Sequence, residues 1–323
     1  MFIPNDQKIG AKSFFSVLNF GISVHEEKIR GNGEDSFLFS FNNDGGIIAV
    51  FDGCGGSGAR KYSNYQNKTG AYMASRVVSG ATRDWFRESQ PLDISILKEK
   101  VKSYLSMCKE YGGQMTAIKG SITKEFPTTA AITVCTLKEN NLAATVVWAG
   151  DSRCYFLDSQ GLKQLSKDDV DGLDSMDNLT ADGILTNVIS MSKDFDLHHK
   201  TFLFSLPCIL ITATDGCFGY FSTPMEFENL LLSTLQDSDT PQEWEQRIAQ
   251  SLSGLSGDDF TLCGMVFGFE DFVELKKSMA KRCENLQHCY IDKISKNNTT
   301  TNNQLWEEYK TDYLMYLSKD ATI

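Results

Sequence analysis

From the N-terminus to about residue 269, short apolar and β-branched runs alternate with glycine- or asparagine-containing turns. Runs at 47–51, 131–137, 142–149, 153–158, 207–213 and 262–268 predict strands. Many follow one another after hairpin-length gaps, notably at Asn140-Asn141, and that spacing favours antiparallel sheets. Helical periodicity interrupts the strands. Residues 59–80 carry Tyr62, Tyr65, Tyr72, Met73 and Val77, and residues 92–108 carry Ile94, Leu97, Val101, Leu105 and Cys108. Pro224 and Pro241 open two further helices that run to Leu235 and about Leu252, since proline suits a first helical position. Strands and helices in mixed order, rather than strict βαβ repeats, predict an α+β fold.

Two segments depart from this rhythm. Residues 166–200 are rich in Asp, Ser and Asn with little periodicity and read as a long irregular excursion. From Phe272 the pattern turns helical: Leu275, Met279, Cys283, Leu286, Tyr290 and Ile294 recur at steps of three and four. A polar break at 295–304 precedes a second helix marked by Trp306, Tyr309, Tyr313 and Leu317. The expected organisation is therefore a first unit at 1–269 and a C-terminal helical hairpin at 270–323. The hairpin is either a flank packed on its own domain or a docking or dimer element.

Composition narrows the class. The net charge of -11 sets a field that repels nucleic acid and anionic membranes, so neither is an expected partner. Almost all of that charge lies in 1–269, because 270–323 holds eight Lys and Arg against nine Asp and Glu. No stretch reaches the roughly 18 apolar residues of a membrane span, and the first residues lack the order of a signal peptide. The nine cysteines, mostly inside apolar runs, read as reduced core residues of a cytoplasmic protein. The sequons at Asn178 and Asn298 then read as accidental.

The candidate chemistry lies in five acidic clusters. Glu34-Asp35 follows Arg30-Gly-Asn-Gly, and Asp52-Gly53-Cys54-Gly55-Gly56 follows the run ending at Phe51. Gly150-Asp151-Ser152-Arg153, Asp215-Gly216 and Asp258-Asp259-Phe260-Thr261 border three more runs. One such strand end means little, because Asp and Gly favour turns whatever their function. Several converging would make an oxygen-only cage of the kind Mg²⁺ or Mn²⁺ prefers. Glycine beside the acids lets backbone pass close to a metal or a phosphate.

Taken in order with Thr128-Thr129-Ala130, these residues resemble the signatures of the metal-dependent type 2C serine/threonine protein phosphatases, in a bacterial-style member. The resemblance covers about residues 15–269. It implies a sandwich of two antiparallel β-sheets flanked by helices, with the metals at one end and a flap at 166–200. It implies two Mg²⁺ or Mn²⁺ ions: Asp52 bridges them, the Gly53 carbonyl and Glu34 serve one, and Asp215 and Asp258 hold the other. Asp151 with Asp215 completes a weaker third site, Asp35 orients water, and Arg30 clamps the phosphate through its planar fork. The implied reaction is hydrolysis of protein phosphoserine and phosphothreonine by a metal-activated water, without a phosphoenzyme. The implied partners are a phosphorylated protein and a cognate Ser/Thr kinase or its target.

The sequence departs from the family pattern at several points. Cys54 stands where many relatives place a histidine, which leaves the general acid open. Asp259 replaces the usual asparagine and adds negative charge near the metals, and Asn187 and Ser190 replace an arginine and a glycine after the flap. Cys54 and Asp259 keep a second class in view, a pseudophosphatase that binds phosphoproteins as a scaffold, while Asn187 and Ser190 leave the role of the flap open. Cys283, His288 and Cys289 fall one ligand short of a structural zinc site and read as helix-face residues. Asp194, Asp196, His198 and His199 read as a solvated turn beside the flap.

Overall fold

The computed structural model describes residues 13–89, 92–114, 123–171, 174–180, 183–295 and 299–317. The first twelve residues and the Asn298 sequon lie outside them. Ten strands build two five-stranded antiparallel sheets. In chain order they are β1 (Leu18–Glu26), β2 (Ser36–Phe41), β3 (Gly45–Phe51), β4 (Ala130–Lys138), β5 (Asn141–Ala149), β6 (Arg153–Asp158), β7 (Gly161–Gln164), β8 (His198–Ser205), β9 (Cys208–Ala213) and β10 (Phe260–Phe267). One sheet has the order β1-β10-β9-β6-β7 and the other β8-β5-β4-β3-β2.

The central strands are apolar throughout because both of their faces are buried. Along β3, Ile48 and Val50 point between the sheets, where they meet Leu210 of β9 and Met265 of β10. Ile47, Ala49 and Phe51, offset by one residue, face outward into a second core. That alternation follows from the two-residue period of a strand. Helices α1 (Gly70–Glu88) and α2 (Ile94–Tyr111) cover this outer face with Ala74, Val78, Trp85, Leu97, Val101 and Leu105.

The opposite outer face, formed by Ile209 and Ile211 of β9 and Leu262 and Val266 of β10, is covered by four helices. They are α3 (Pro224–Gln236), α4 (Pro241–Ser253), α5 (Phe272–Cys289) and α6 (Thr299–Tyr313). Helix α3 starts at a capping box of Thr223 and Glu226 with Pro224 in its first turn, and α4 starts at Pro241 with the Thr240 hydroxyl accepting the Glu243 amide. In α4, Trp244, Ile248 and Leu252 recur every four residues and bury one stripe. Leu275, Met279 and Leu286 of α5 and Leu305, Trp306, Tyr309 and Tyr313 of α6 join the same core. Residues on both sides of position 269 thus share one apolar cluster. Buried Glu228 of α3 ties them further: it accepts a bidentate pair from Arg282 of α5 at 2.7 and 2.8 Å and a hydrogen bond from Tyr309 of α6.

Several elements differ from the sequence expectation. The helix expected from residue 59 begins at Gly70, because the left-handed residues Gln66 (φ 54°) and Asn67 (φ 59°) bend 61–69 into a small hairpin. The turn between β4 and β5 is Glu139-Asn140 rather than Asn140-Asn141. Helix α6 starts at Thr299, inside the polar break. The irregular excursion ends at Leu197, since His198–Ser205 pairs with β5 as an edge strand. Edge strands β1 and β8 carry exposed polar positions, which masked their period.

Candidate active site

Antiparallel pairing carries the scattered acids to one end of the sandwich. Asp52 follows β3, and Glu34-Asp35 precede β2, whose first residue Ser36 pairs with Phe51. Asp151 follows β5, two strands from β3, so that both chains run in the same direction. In the other sheet Asp215 follows β9 and Asp258 precedes β10, with Ala213 opposite Leu262. Glu34, Asp52, Gly53, Asp151, Asp215 and Asp258 accordingly line one pocket of about 470 Å³, together with Cys54, Asp259 and the flap residues Gly183 and Leu185. Asp35 lies buried at 2% exposure, where its Oδ2 accepts hydrogen bonds from Thr214 (2.8 Å) and Thr261 (2.7 Å). Arg30 sits on an exposed turn and is not among the residues that line the pocket.

The local backbone is shaped for this convergence. Thr128 and Thr129 grip Asp52: the Thr128 hydroxyl and the Thr129 amide donate to its carbonyl at 2.7 and 2.8 Å. Thr69 donates to the Glu34 carboxylate. A Cβ on Gly55 would stand 2.0 Å from Glu34 Oε2, and one on Gly216 would stand 1.9 Å from the Asp259 carbonyl oxygen. The second neighbour is backbone and cannot rotate away. Gly216→Ala is therefore expected to force apart the Asp215 turn and the start of β10 at a cost of about 1–3 kcal/mol, read as a lowered melting temperature.

Burial and mutual repulsion dominate the electrostatics. Burial first, then Asp215, pushes the Asp52 carboxyl well above its ordinary range. Burial raises Asp35 to about 7 against the pull of its two threonine hydrogen bonds. Burial followed by Asp215 raises Asp151 to about 8, and burial followed by Asp258 raises Asp215 to about 6. The Glu34 carboxyl moves upward through burial as well. Cys54 remains a neutral thiol, pushed up by burial and then by Asp52.

This donor set is oxygen-only and rich in charge that has no cation among it, which fits hard divalent cations. Among the described residues no three acidic, histidine or cysteine side chains are already drawn in as a closed cage. Repelling carboxylates ring the pocket instead of meeting at one point.

Comparison with known proteins bears on the same residues. The sequence model described as protein phosphatase 2C matches residues 29–253, more than half of the chain. The chain belongs to the protein phosphatase 2C family. The serine/threonine phosphatase Stp1 of Staphylococcus aureus is similar in structure at 18% identity and a TM-score of 0.56, over 78% of this chain and 96% of that one. The phosphatase PstP/Ppp of Mycobacterium tuberculosis is similar at 16% identity and a TM-score of 0.53, over 77% and 98%. A PstP catalytic domain in complex with two manganese ions is similar at 16% identity and a TM-score of 0.51, over 78% and 99%. Comparison with curated proteins gives no match. The fold is therefore the type 2C phosphatase fold, two antiparallel sheets flanked by helices, with helices α5 and α6 at its C-terminus.

Sequence reading missed Asp168 and Asp169 and the role of Asp259 in organising this phosphatase-family site. Asp259 accepts the backbone N–H groups of Lys28 (2.7 Å) and Glu34 (2.6 Å), so it pins the loop that carries Glu34. Asp168 holds the buried Arg153 guanidinium, with Nη2 to Oδ2 at 2.7 Å. Asp169 accepts from the Gly150 amide (3.0 Å) and Asn187 (2.7 Å), which ties the flap to the Asp151 turn. The spacing of Asp168 and Asp169 in a polar stretch carries no periodic signal. The Gly-Asp-Ser-Arg segment and Asn187 marked their partners in advance. Asp194 lies elsewhere, paired with Lys98 and Lys102 on the surface. His288 pairs with Asp292 on α5 and its following turn, and Cys289 is exposed.

Proposed function

We propose that this chain is a Mg²⁺- or Mn²⁺-dependent protein phosphatase that hydrolyses phosphoserine and phosphothreonine without a phosphoenzyme. The observation that carries this reading is the convergence of Glu34, Asp52, Asp151, Asp215 and Asp258 from distant positions into one acidic pocket of a type 2C fold. Two cations would be held by Asp52 between them, with Glu34 and the Gly53 carbonyl on one side and Asp215 and Asp258 on the other. Asp151 and Asp215 would hold a third. Bound there, such cations supply the Lewis acidity that makes a water nucleophilic near neutral pH.

The chain's own groups supply position. Thr214 and Thr261 fix Asp35 through Oδ2, and its Oδ1 would orient the attacking water. Asp259 sets the Glu34 loop that also bears Arg30, and Arg30 would reach from its turn to clamp the phosphate as a bidentate fork. The neutral Cys54 thiol faces the same pocket and offers no charge to the leaving oxygen. The substrates are phosphorylated proteins, with a cognate Ser/Thr kinase or its target as partner. Nine free thiols support a reducing, cytoplasmic setting, and among the described residues no helix is long and apolar enough to cross a membrane.

A second reading, a phosphoprotein-binding scaffold without turnover, draws on Cys54 and on the position of Arg30 outside the pocket lining. Turnover of p-nitrophenyl phosphate and a phosphothreonine peptide, measured in parallel with EDTA, Mg²⁺ and Mn²⁺, separates the two. The enzyme is expected to be inert in EDTA and to recover with either metal. Full activity in chelator would reject the metal mechanism, and peptide binding without turnover in any metal would establish the scaffold.

A further inference from the structure

The match to the family model ends at residue 253, and the solved relatives are almost completely covered while more than a fifth of this chain lies beyond them. Helices α5 and α6 fall after that match, yet α6 reaches the flap. The Trp306 indole N–H donates to Asp174 Oδ2 at 2.9 Å. The other oxygen of Asp174 accepts the backbone N–H groups of Met176 (2.8 Å) and Asp177 (2.9 Å), which starts the single helical turn Asp177–Thr180. Arg153 donates to the Ser175 carbonyl (3.0 Å) and Asn178 to Asp168 (2.9 Å), so the turn is also tied to the strand that follows Asp151. A few residues further on, Gly183 and Leu185 of the same flap line the acidic pocket. Leu185 is bridged back to Val170.

Packing does not complete this junction. A cavity of about 660 Å³ lies where the flap turn, the 219–222 loop and the start of α6 meet, bordered by Met176, Leu179, Tyr220, Phe221 and Asn302. Trp306 itself is anchored, at 3% exposure in the core with Leu305, Tyr309 and Tyr313. A rigid indole therefore adds one charge-assisted hydrogen bond to a turn that Met176, Arg153 and Asn178 also hold and that borders open space on its α6 side.

We propose that α6 sets the position of the flap over the acidic pocket, and with it the fit of a polypeptide substrate. Trp306 is the positioning residue, acting through Asp174. The inference rests on the phosphatase reading. A small aryl phosphate needs only the metals and the phosphate clamp, whereas a phosphorylated polypeptide must also lie against the flap. Loss of the clamp therefore separates the two substrates.

The test compares wild type, Trp306→Phe, Asp174→Asn and the double variant in the full chain. Three readouts are taken: kcat and KM on p-nitrophenyl phosphate, the same on a phosphothreonine peptide, and amide hydrogen exchange across 174–187. Each single variant is expected to raise the peptide KM about tenfold, as loss of a hydrogen bond to a charged group implies, and to leave aryl phosphate constants within about twofold. Flap amides are expected to exchange faster while those of β9 and β10 do not change. The double variant should be no worse than the worse single one, because both act through one contact. Equal losses on both substrates, or an unchanged peptide KM with unchanged flap exchange, would overturn the proposal. Asp174→Asn keeps the core intact if Trp306→Phe does not fold. A wild type inert on both substrates in every metal, with loosened flap exchange in the variants, would reject the phosphatase reading and uphold the clamp.

Discussion

Asp52→Asn is expected to lower turnover by at least about 100-fold on both aryl phosphate and phosphopeptide, because one substitution weakens both proposed cation sites. The folded protein should survive it. Asp52 is half-buried beside Asp215, Asp35, Asp151 and Asp258, and its carboxyl is pushed well above the ordinary 3.8. A carboxyl raised on folding favours the native state at low pH, and that advantage is lost as pH climbs from the unfolded value through the folded one. At pH 7 in chelator the aspartate therefore costs stability that asparagine does not. The variant should melt at or above the wild-type temperature there, with the difference closing below about pH 4. Turnover near the wild-type rate would show that Asp52 is not the bridge. A melting temperature well below wild type in chelator would show that its carboxylate stabilises the fold.

Truncation after Glu270 is expected to unfold or aggregate the remaining chain rather than release an independent module. It removes Leu275, Met279, Leu286, Leu305, Trp306, Tyr309 and Tyr313 from a core shared with β9, β10 and α3. Each contributes about 1.5–3 kcal/mol of burial, so even after the ordering entropy of the lost segment is returned the sum competes with the whole stability of a domain. Truncation also strips Arg282 and Tyr309 from Glu228, which is 0% exposed, and an uncompensated buried carboxylate costs about 3–5 kcal/mol. Thermal melting and light scattering of the 1–270 chain check this. A stable, monomeric and active product would show that the hairpin is separable after all.

Much of this protein was legible in its sequence because the relevant signals are local. Buried on both faces, β3, β9 and β10 read as continuous apolar runs, and the prolines that open α3 and α4 mark their starts. The pocket acids were visible too, since each stands beside a glycine at a strand end, and six short signatures in order are far more specific than any one of them. Strand β8 was not legible: His198–Ser205 alternates buried and exposed residues at a sheet edge, and its polar half blended into the flap.

Only the tertiary structure decided how distant charges pair. Asp259 read as one more negative group near the metals, but its carboxylate caps two amides more than two hundred residues away. Arg30 keeps the motif spacing to Glu34, while the turn that bears it leaves the guanidinium outside the pocket lining. The apolar stripe of α5 and α6 predicts that something is buried, and period alone does not say against what. Whether that stripe faces a partner or its own sheet depends on the outer face of β9 and β10, which local pattern cannot see. The Trp306–Asp174 contact joins residues 132 positions apart and carries no mark in either segment. Hydrophobic period is set residue by residue, whereas ion pairs and caps across the fold are set by where the backbone brings two side chains together.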